Sequence, residues 1–277
     1  MTVSSSRAST YRQSKIVDLL RQSGRVTVED LATHFSVTLQ TIRRDLNELS
    51  EAHRVVRVHG GAIVASGVEN LAYEARQLVA QPHKRLIGQA AARLIPDNSS
   101  LFINIGTTTE EVARALAGRS GLLVITNNLH VANELHHQKD IEVFLTGGTI
   151  RHGDGGIVGA VTVSQIEQFR VDTAIIGTSA IDANGTLLDF DIREVEISRA
   201  IIGHARKIAL VADSSKFSRS APVRIAHMSE IDVFITDRLP SPAIVEMCAE
   251  CEVKVIETGG PSEMEAIAQV ESTIDAT

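Results

Sequence analysis

Thr38-Leu39-Gln40-Thr41-Ile42-Arg43-Arg44-Asp45-Leu46 is the stretch whose reading decides the architecture of the N-terminal part of the chain. Ile42, Leu46 and Leu49 recur at helical spacing and make one apolar face. Gln40, Thr41, Arg43, Arg44 and Asn47 then point the other way, and all are residue types that bond phosphates and base edges. Thr38 is placed as N-cap, since its hydroxyl can accept from a backbone N–H that the first turn leaves unpaired. Glu29 to Phe35 reads as a shorter helix just ahead, with Leu31, Ala32 and Phe35 inward and Ser36-Val37 as the turn. Two helices joined in this way spell a helix-turn-helix, so the expected partner is double-stranded operator DNA. Asp45 does not suit a phosphate-facing position, where a carboxylate is repelled. It is expected to orient an arginine or to pair with one inside the module.

Working outward, residues 1–10 are rich in Ser and Thr and read as a disordered tail. A helix is predicted from about Tyr11 to Ser23, with Ile16, Leu19 and Leu20 on one face and Gly24 ending it. Downstream, Arg54-Val55-Val56-Arg57-Val58-His59 and Ala62-Ile63-Val64 flank Gly60-Gly61 as a hairpin. A helix-turn-helix followed by a hairpin is a winged helix, here residues 11–64. Arg54, Arg57 and His59 lie on the wing, facing sugar-phosphate backbone. The alternative on these features is a small protein-interaction bundle with solvated arginines.

The charge distribution favours DNA. The whole chain carries net charge −7 over 277 residues. Residues 1–64 nevertheless hold nine Lys/Arg against six Asp/Glu, net +3, while the remainder holds eighteen against twenty-eight, net −10. A small basic module joined to a larger acidic one fits localised DNA contact. Aromatic residues are only 3% and Trp is absent, which argues against stacking platforms for single strands.

Cys248 and Cys251 form one C-x-x-C with no second pair, so reduced thiols are expected and no metal site. The first ten residues are polar with no apolar core after them, and no apolar run approaches membrane-spanning length. A cytoplasmic protein without a membrane partner is expected.

After a linker at 65–75 the pattern changes. Over 76–260 short apolar runs alternate with helical stretches: Leu101–Ile105, Leu122–Ile125, Val143–Leu145, Ala174–Ile176, Ile208–Val211, Val233–Ile235 and Val253–Ile256. They read as buried strands of a mostly parallel sheet with helices on its faces, an α/β fold, followed by a C-terminal tail at 261–277. Ligands of such folds bind beyond the carboxyl ends of the strands. Four polar loops stand there. Gly106-Thr107-Thr108-Thr109 opens a helix from Glu110 to Ala117 whose N-terminus favours an anion. Thr126-Asn127-Asn128 follows the next strand. Gly147-Gly148-Thr149-Ile150-Arg151 adds a cation, and Asp213-Ser214-Ser215-Lys216 adds another. Each alone is an ordinary turn; together they suit one phosphate and several hydroxyls.

Arg12, Ile16, Val28-Glu29-Asp30-Leu31-Ala32, Thr41-Ile42-Arg43-Arg44-Asp45-Leu46, Leu49 and Val58-His59-Gly60-Gly61-Ala62 together resemble the N-terminal domain of the DeoR family of bacterial transcriptional repressors. The second module resembles that family's effector domain, whose fold is shared with ribose-5-phosphate isomerases. The Asp213–Lys216 loop and the helix carrying Glu194 and Glu196 match this wider group. The isomerases carry a catalytic lysine in a Lys-Gly-Gly-Gly stretch before that helix, where this chain has Leu187-Leu188-Asp189-Phe190-Asp191. Glu194 therefore lacks the partner that proton shuttling needs. The resemblance implies a sensor without catalysis, hence no catalytic residues and no cofactor.

Within the family, Arg151–Gly159 and Leu188–Asp191 resemble members responding to glycerol 3-phosphate. This implies that ligand, or a related sugar phosphate, at Gly106, Thr107, Thr108, Thr109, Asn127, Asn128, Gly147, Gly148, Arg151, Asp191, Glu194 and Lys216. A homo-oligomer, dimer or tetramer, is also implied. The rivals are a repressor for a different sugar phosphate and an isomerase with a regulatory N-terminal domain.

Overall fold

The computed structural model describes residues 11–20, 25–51, 55–58, 60–64 and 73–258. The expected tails, the helix end at Gly24, most of the linker, and the wing residues Arg54 and His59 lie outside the described residues. The chain divides into two compact units, Met1–Val79 and Ala80–Thr277.

In the first unit, α1 covers residues 11–20, followed by β1 (Arg25–Thr27), α2 (Val28–Phe35), α3 (Leu39–Glu51), β2 (Val55–Val58), β3 (Gly61–Val64) and α4 (Tyr73–Leu78). The Thr27 hydroxyl caps α2 by accepting from the Asp30 N–H, and Ser36 ends that helix in the left-handed region at φ 52°. Thr38 caps α3 as its sequence suggests, accepting from the Thr41 N–H at 3.2 Å. Ile16, Val17 and Leu20 of α1, Val28 and Leu31 of α2, and Ile42, Leu46 and Leu49 of α3 share one core with Val55 and Ala62 of the wing.

The hairpin pairs Val58 with Gly61 and Arg57 with Ala62, and β3 also pairs antiparallel with β1. That second pairing explains Gly61. A Cβ there would lie 2.0 Å from the Val26 carbonyl oxygen, so no side chain fits between β3 and β1. The first unit is thus a winged helix with a three-stranded sheet.

The second unit begins at Ala80, a non-glycine residue in the left-handed region at φ 53°, which leads into α5 (Gln81–Arg93). Then follow β4 (Ser100–Ile103), α6 (Thr107–Ala115), β5 (Leu122–Thr126), α7 (Leu129–Leu135), β6 (Ile141–Leu145), the short hairpin β7 (Thr149–Ile150) and β8 (Ile157–Val158), and α8 (Ala160–Ile166). The chain continues through β9 (Val171–Ile176), β10 (Ala180–Ile181), β11 (Thr186–Asp189), α9 (Ile192–Gly203), β12 (Ala205–Val211), β13 (Val223–His227), β14 (Val233–Thr236), α10 (Pro242–Glu250) and β15 (Lys254–Glu257).

Seven strands form one parallel sheet in the order β15-β14-β12-β9-β4-β5-β6, and each contains most or all of one apolar run read from the sequence. Alternate residues face opposite sides. Leu101, Ile103, Ile175, Ala209 and Val211 pack with α5, α6 and α7 in one core. Phe102, Ala174, Ile176, Leu210 and Phe234 pack with α8, α9 and α10 in the other. Both faces are buried, as the near-continuous apolar runs require. From β4 the order runs through β5 to β6 on one side, then resumes with β9 on the other. The crevice of this doubly wound sheet therefore opens between the loops that follow β4 and β9.

One expectation needs correction, and one element was not expected at all. The helix expected from Glu110 starts at Thr107, so all three threonines lie in its first turn. Thr109 is tolerated there because its hydroxyl bonds back to the carbonyls of Asn104 and Gly106, each at 2.7 Å. A second small antiparallel sheet, β10-β11-β13, sits beside the main one and was not visible in the sequence.

Candidate nucleic-acid interface and ligand crevice

Helix α3 presents two faces. Ile42, Leu46 and Leu49 are buried, whereas Thr38, Gln40, Arg43, Arg44 and Asn47 are exposed and Thr41 is half-buried. Gln40, Arg43, Arg44 and Asn47 follow i, i+3, i+4, i+7 spacing and so share one stripe. Arg44 Nε donates to Glu48 Oε1 at 3.0 Å, an exposed i,i+4 pair of little energetic weight. Asp45 is buried and forms a bidentate pair with Arg12 of α1, the internal partnership its sequence position suggests. Arg57 does not point off the outer side of the wing. Its register partner Ala62 faces the core, and Arg57 Nη1 reaches α3, donating to Asn47 Oδ1 at 2.6 Å and to the Arg43 carbonyl at 3.1 Å.

In the second unit three groups of side chains meet near the strand ends. The first surrounds the start of α6. Gly106 is its N-cap and has no side chain to close the helix end. Lys84 of α5 is 3% exposed, and its Nζ donates to Thr107 Oγ1 at 2.9 Å. Asp213, buried after β12, feels both Lys216 and Lys84. Burial pushes its carboxyl up, but Lys216, the Ser215 hydroxyl and Lys84 together hold it below the usual carboxylate range. Lys84 thus stands at the N-terminus of α6, where the helix dipole adds positive potential, and both Lys84 and Lys216 act electrostatically on Asp213. Lys84 was missed in the sequence. Its signal was spacing: Lys84, Ile87, Gly88 and Ala91 lie on one face of α5, and all are buried.

The second group centres on Arg151, whose guanidinium is held by Asp154, by Asp191 at 3.2 Å and by Glu194 at 2.6 Å. Burial works against the charged arginine, yet Asp154 and Glu194 more than offset it and raise its pKa. Asp191 also receives Arg193, which with its backbone N–H and Arg151 overcomes burial and pulls its pKa down to about 2. The expected cation of this loop is therefore already matched by carboxylates.

The third group is committed to the fold. Asn128 Oδ1 caps α7 by accepting from the His130 N–H, and its Nδ2 donates to Glu110 at 3.3 Å. Asn127 Nδ2 donates to the Ile157 carbonyl at 3.1 Å, while its buried Oδ1 has no hydrogen-bond partner. The Gly147 N–H is taken by Gln165. Gly148 has φ 146°, and a Cβ there would lie 2.3 Å from Thr162 Oγ1, so it is a packing turn against α8. Among the described residues no cluster of His, Cys, Asp and Glu has the geometry to hold a metal, and no helix is long and apolar enough to cross a membrane.

A winged helix with a polar stripe on its second helix-turn-helix element, joined to a doubly wound α/β unit with a crevice lined by charged and polar side chains, defines a class of two-part ligand-responsive DNA-binding proteins. The chain belongs to the DeoR family: residues 12–68 match the DeoR-like helix-turn-helix domain and residues 79–238 the DeoR C terminal sensor domain. It is 44% identical to the glycerol-3-phosphate regulon repressor of Escherichia coli (strain K12), over 89% of this chain and 98% of that protein. The glycerol-3-phosphate regulon repressor of Haemophilus influenzae is 45% identical over 90% of this chain and 97% of its own length. Among solved structures, ribose 5 phosphate isomerase A from Neisseria gonorrhoeae aligns with a TM-score of 0.36 and 15% identity, covering 49% of this chain and 53% of that one, too remote to bear on chemistry.

Proposed function

We propose that this protein is a transcriptional repressor that grips operator DNA through α3 and the wing and lets go when glycerol 3-phosphate fills the crevice. The observation that carries the ligand half is Lys84 bonded to Thr107 at the N-terminus of α6, with Lys216 and Lys84 both acting on the buried Asp213, a setting that suits a small dianion. The similarity to two glycerol-3-phosphate regulon repressors over nine-tenths of the chain supports the choice of ligand. Arg151 then serves to hold Asp191 and Glu194 in place, rather than to bind phosphate. Those carboxylates accept from ligand hydroxyls.

Ligand can release DNA only by preferring a conformation or assembly that binds DNA poorly. A single winged helix binds modestly, so a cytoplasmic dimer or tetramer reading repeated half-sites completes the proposal. The test is a gel shift on DNA from upstream of the gene and its neighbours, with glycerol 3-phosphate, ribose 5-phosphate and phosphorylated hexoses in parallel lanes. Release by glycerol 3-phosphate at the lowest concentration supports the reading. Release by a hexose phosphate alone replaces the ligand, and no shift without ligand removes the repressor. Turnover of ribose 5-phosphate would point to an enzyme instead.

A further inference from the structure

The Asn47–Arg57 contact bears on how the recognition helix reads a base, and it rests on the DNA-binding reading above. A carboxamide presents an acceptor at Oδ1 and donors at Nδ2, whereas a guanidinium only donates. Arg57 Nη1, 2.6 Å from Asn47 Oδ1, therefore fixes which way the amide faces. The same Nη1 is pinned at 3.1 Å by the Arg43 carbonyl, so the clamp is anchored to the helix backbone as well as to one side chain. Among the described residues, Nε and Nη2 of Arg57 make no hydrogen bond, which leaves them for phosphate.

We propose that Arg57 is a positioning residue that makes Asn47 a one-way donor at the base edge. An asparagine reads adenine by donating to N7 while accepting from N6, and this needs both ends of the amide. Arg57 engages one of the two lone pairs of Oδ1 and turns that oxygen toward the wing strand, so in this proposal Nδ2 is the end of the amide left for the base edge. Its targets are acceptors: N7 of either purine, O6 of guanine or O4 of thymine. Asn47 thus tolerates adenine and guanine at the same position. In addition, the clamp couples the wing to α3, so that Arg57 on the backbone and Asn47 on the base share one register.

The experiment selects binding sites from a randomised duplex pool with the full-length protein and with Asn47→Ala, Arg57→Ala, Arg57→Lys and the Asn47→Ala/Arg57→Ala double variant. The position read by Asn47 is the one whose preference Asn47→Ala erases. Wild type is expected to accept both purines there. Arg57→Ala binds more weakly at every site, yet narrows that one position to adenine by roughly tenfold, because Oδ1 is freed for N6. Arg57→Lys, which keeps a cationic donor near Oδ1, retains the wild-type preference, and the double variant shows no preference there. The clamp is overturned if wild type already demands adenine at that position, if Asn47→Ala alters no position, or if Arg57→Ala weakens all sites without changing any preference. Wild type enriching no sequence at all overturns the DNA-binding reading itself.

Discussion

Arg12 and Asp45 stand thirty-three residues apart in sequence and close on each other as a bidentate pair between α1 and α3, with Asp45 side chain 3% and Arg12 17% exposed. The pair fixes the roll of the recognition helix against the first helix. This explains a carboxylate directly beside the two arginines proposed to meet DNA.

Replacing Asp45 with Ala strands a part-buried guanidinium. Leaving that partner group without its bond costs about 1–3 kcal/mol. Urea unfolding of the full chain should show the first unit's transition at clearly lower denaturant, with operator affinity falling in step. An unchanged midpoint would mean that the pair contributes nothing to holding α3.

Arg43 and Arg44 are exposed, and the proposed function assigns them to DNA rather than to the fold. The double change to Ala should abolish the gel shift while leaving the melting temperature within a few degrees and ligand binding intact. Every DNA phosphate that the protein ceases to neutralise flattens the plot of log affinity against log salt by about 1. An undiminished gel shift would remove α3 from the interface.

Lys84→Ala and Lys216→Ala should each give a repressor that binds operator normally and ignores glycerol 3-phosphate. A thermal shift reports this directly, because ligand at a hundred times its dissociation constant adds ~2.7 kcal/mol to the wild type. The variants should show almost none of that gain. A normal ligand response in Lys84→Ala would exclude the start of α6 as the phosphate site.

The carboxylates around Arg151 set an acid limit. Asp191 is held down to about 2 by Arg193 and Arg151; away from that cluster, Asp213 is depressed by Lys216, Ser215 and Lys84, and Asp172, at the start of β9, by the Ser100 hydroxyl. A carboxylate whose folded pKa lies below its unfolded value contributes stability above the unfolded pKa, near 4, and loses it as pH falls toward the folded one. Stability should therefore drop between about pH 4 and pH 2. Asp191→Asn should be less stable than wild type at neutral pH and shallower across that window. Parallel curves for the two proteins would show that Asp191 gains nothing from its arginines.

The sheet was legible because its strands are buried on both faces. Runs such as Leu122–Ile125 and Val233–Ile235 are continuously apolar and stop at polar loops, and little else produces that pattern. The strands β10 and β7 have two residues each and leave no periodicity to read. The candidate site was legible only in part. Loop residues could be placed after strands, but sequence does not say whether a polar atom is already used. Asn128 is a helix cap, Thr109 bonds to its own turn and Gly148 makes room for Thr162. Lys84 was hidden for the opposite reason, since a lysine in a helix is ordinarily solvated. Only its company of Ile87, Gly88 and Ala91 marks it as buried.

Lys84 follows Ala80 by little more than one helical turn, about 6 Å along the axis of α5. Ala80 is the first residue of the second unit and holds a backbone conformation that a side chain adopts only at a cost. The Lys84 N–H donates to the Ala80 carbonyl at 3.0 Å, which ties the two positions through the first turn of α5. Under the proposed function, a ligand that engages Lys84 therefore acts four peptide links from the start of the second unit.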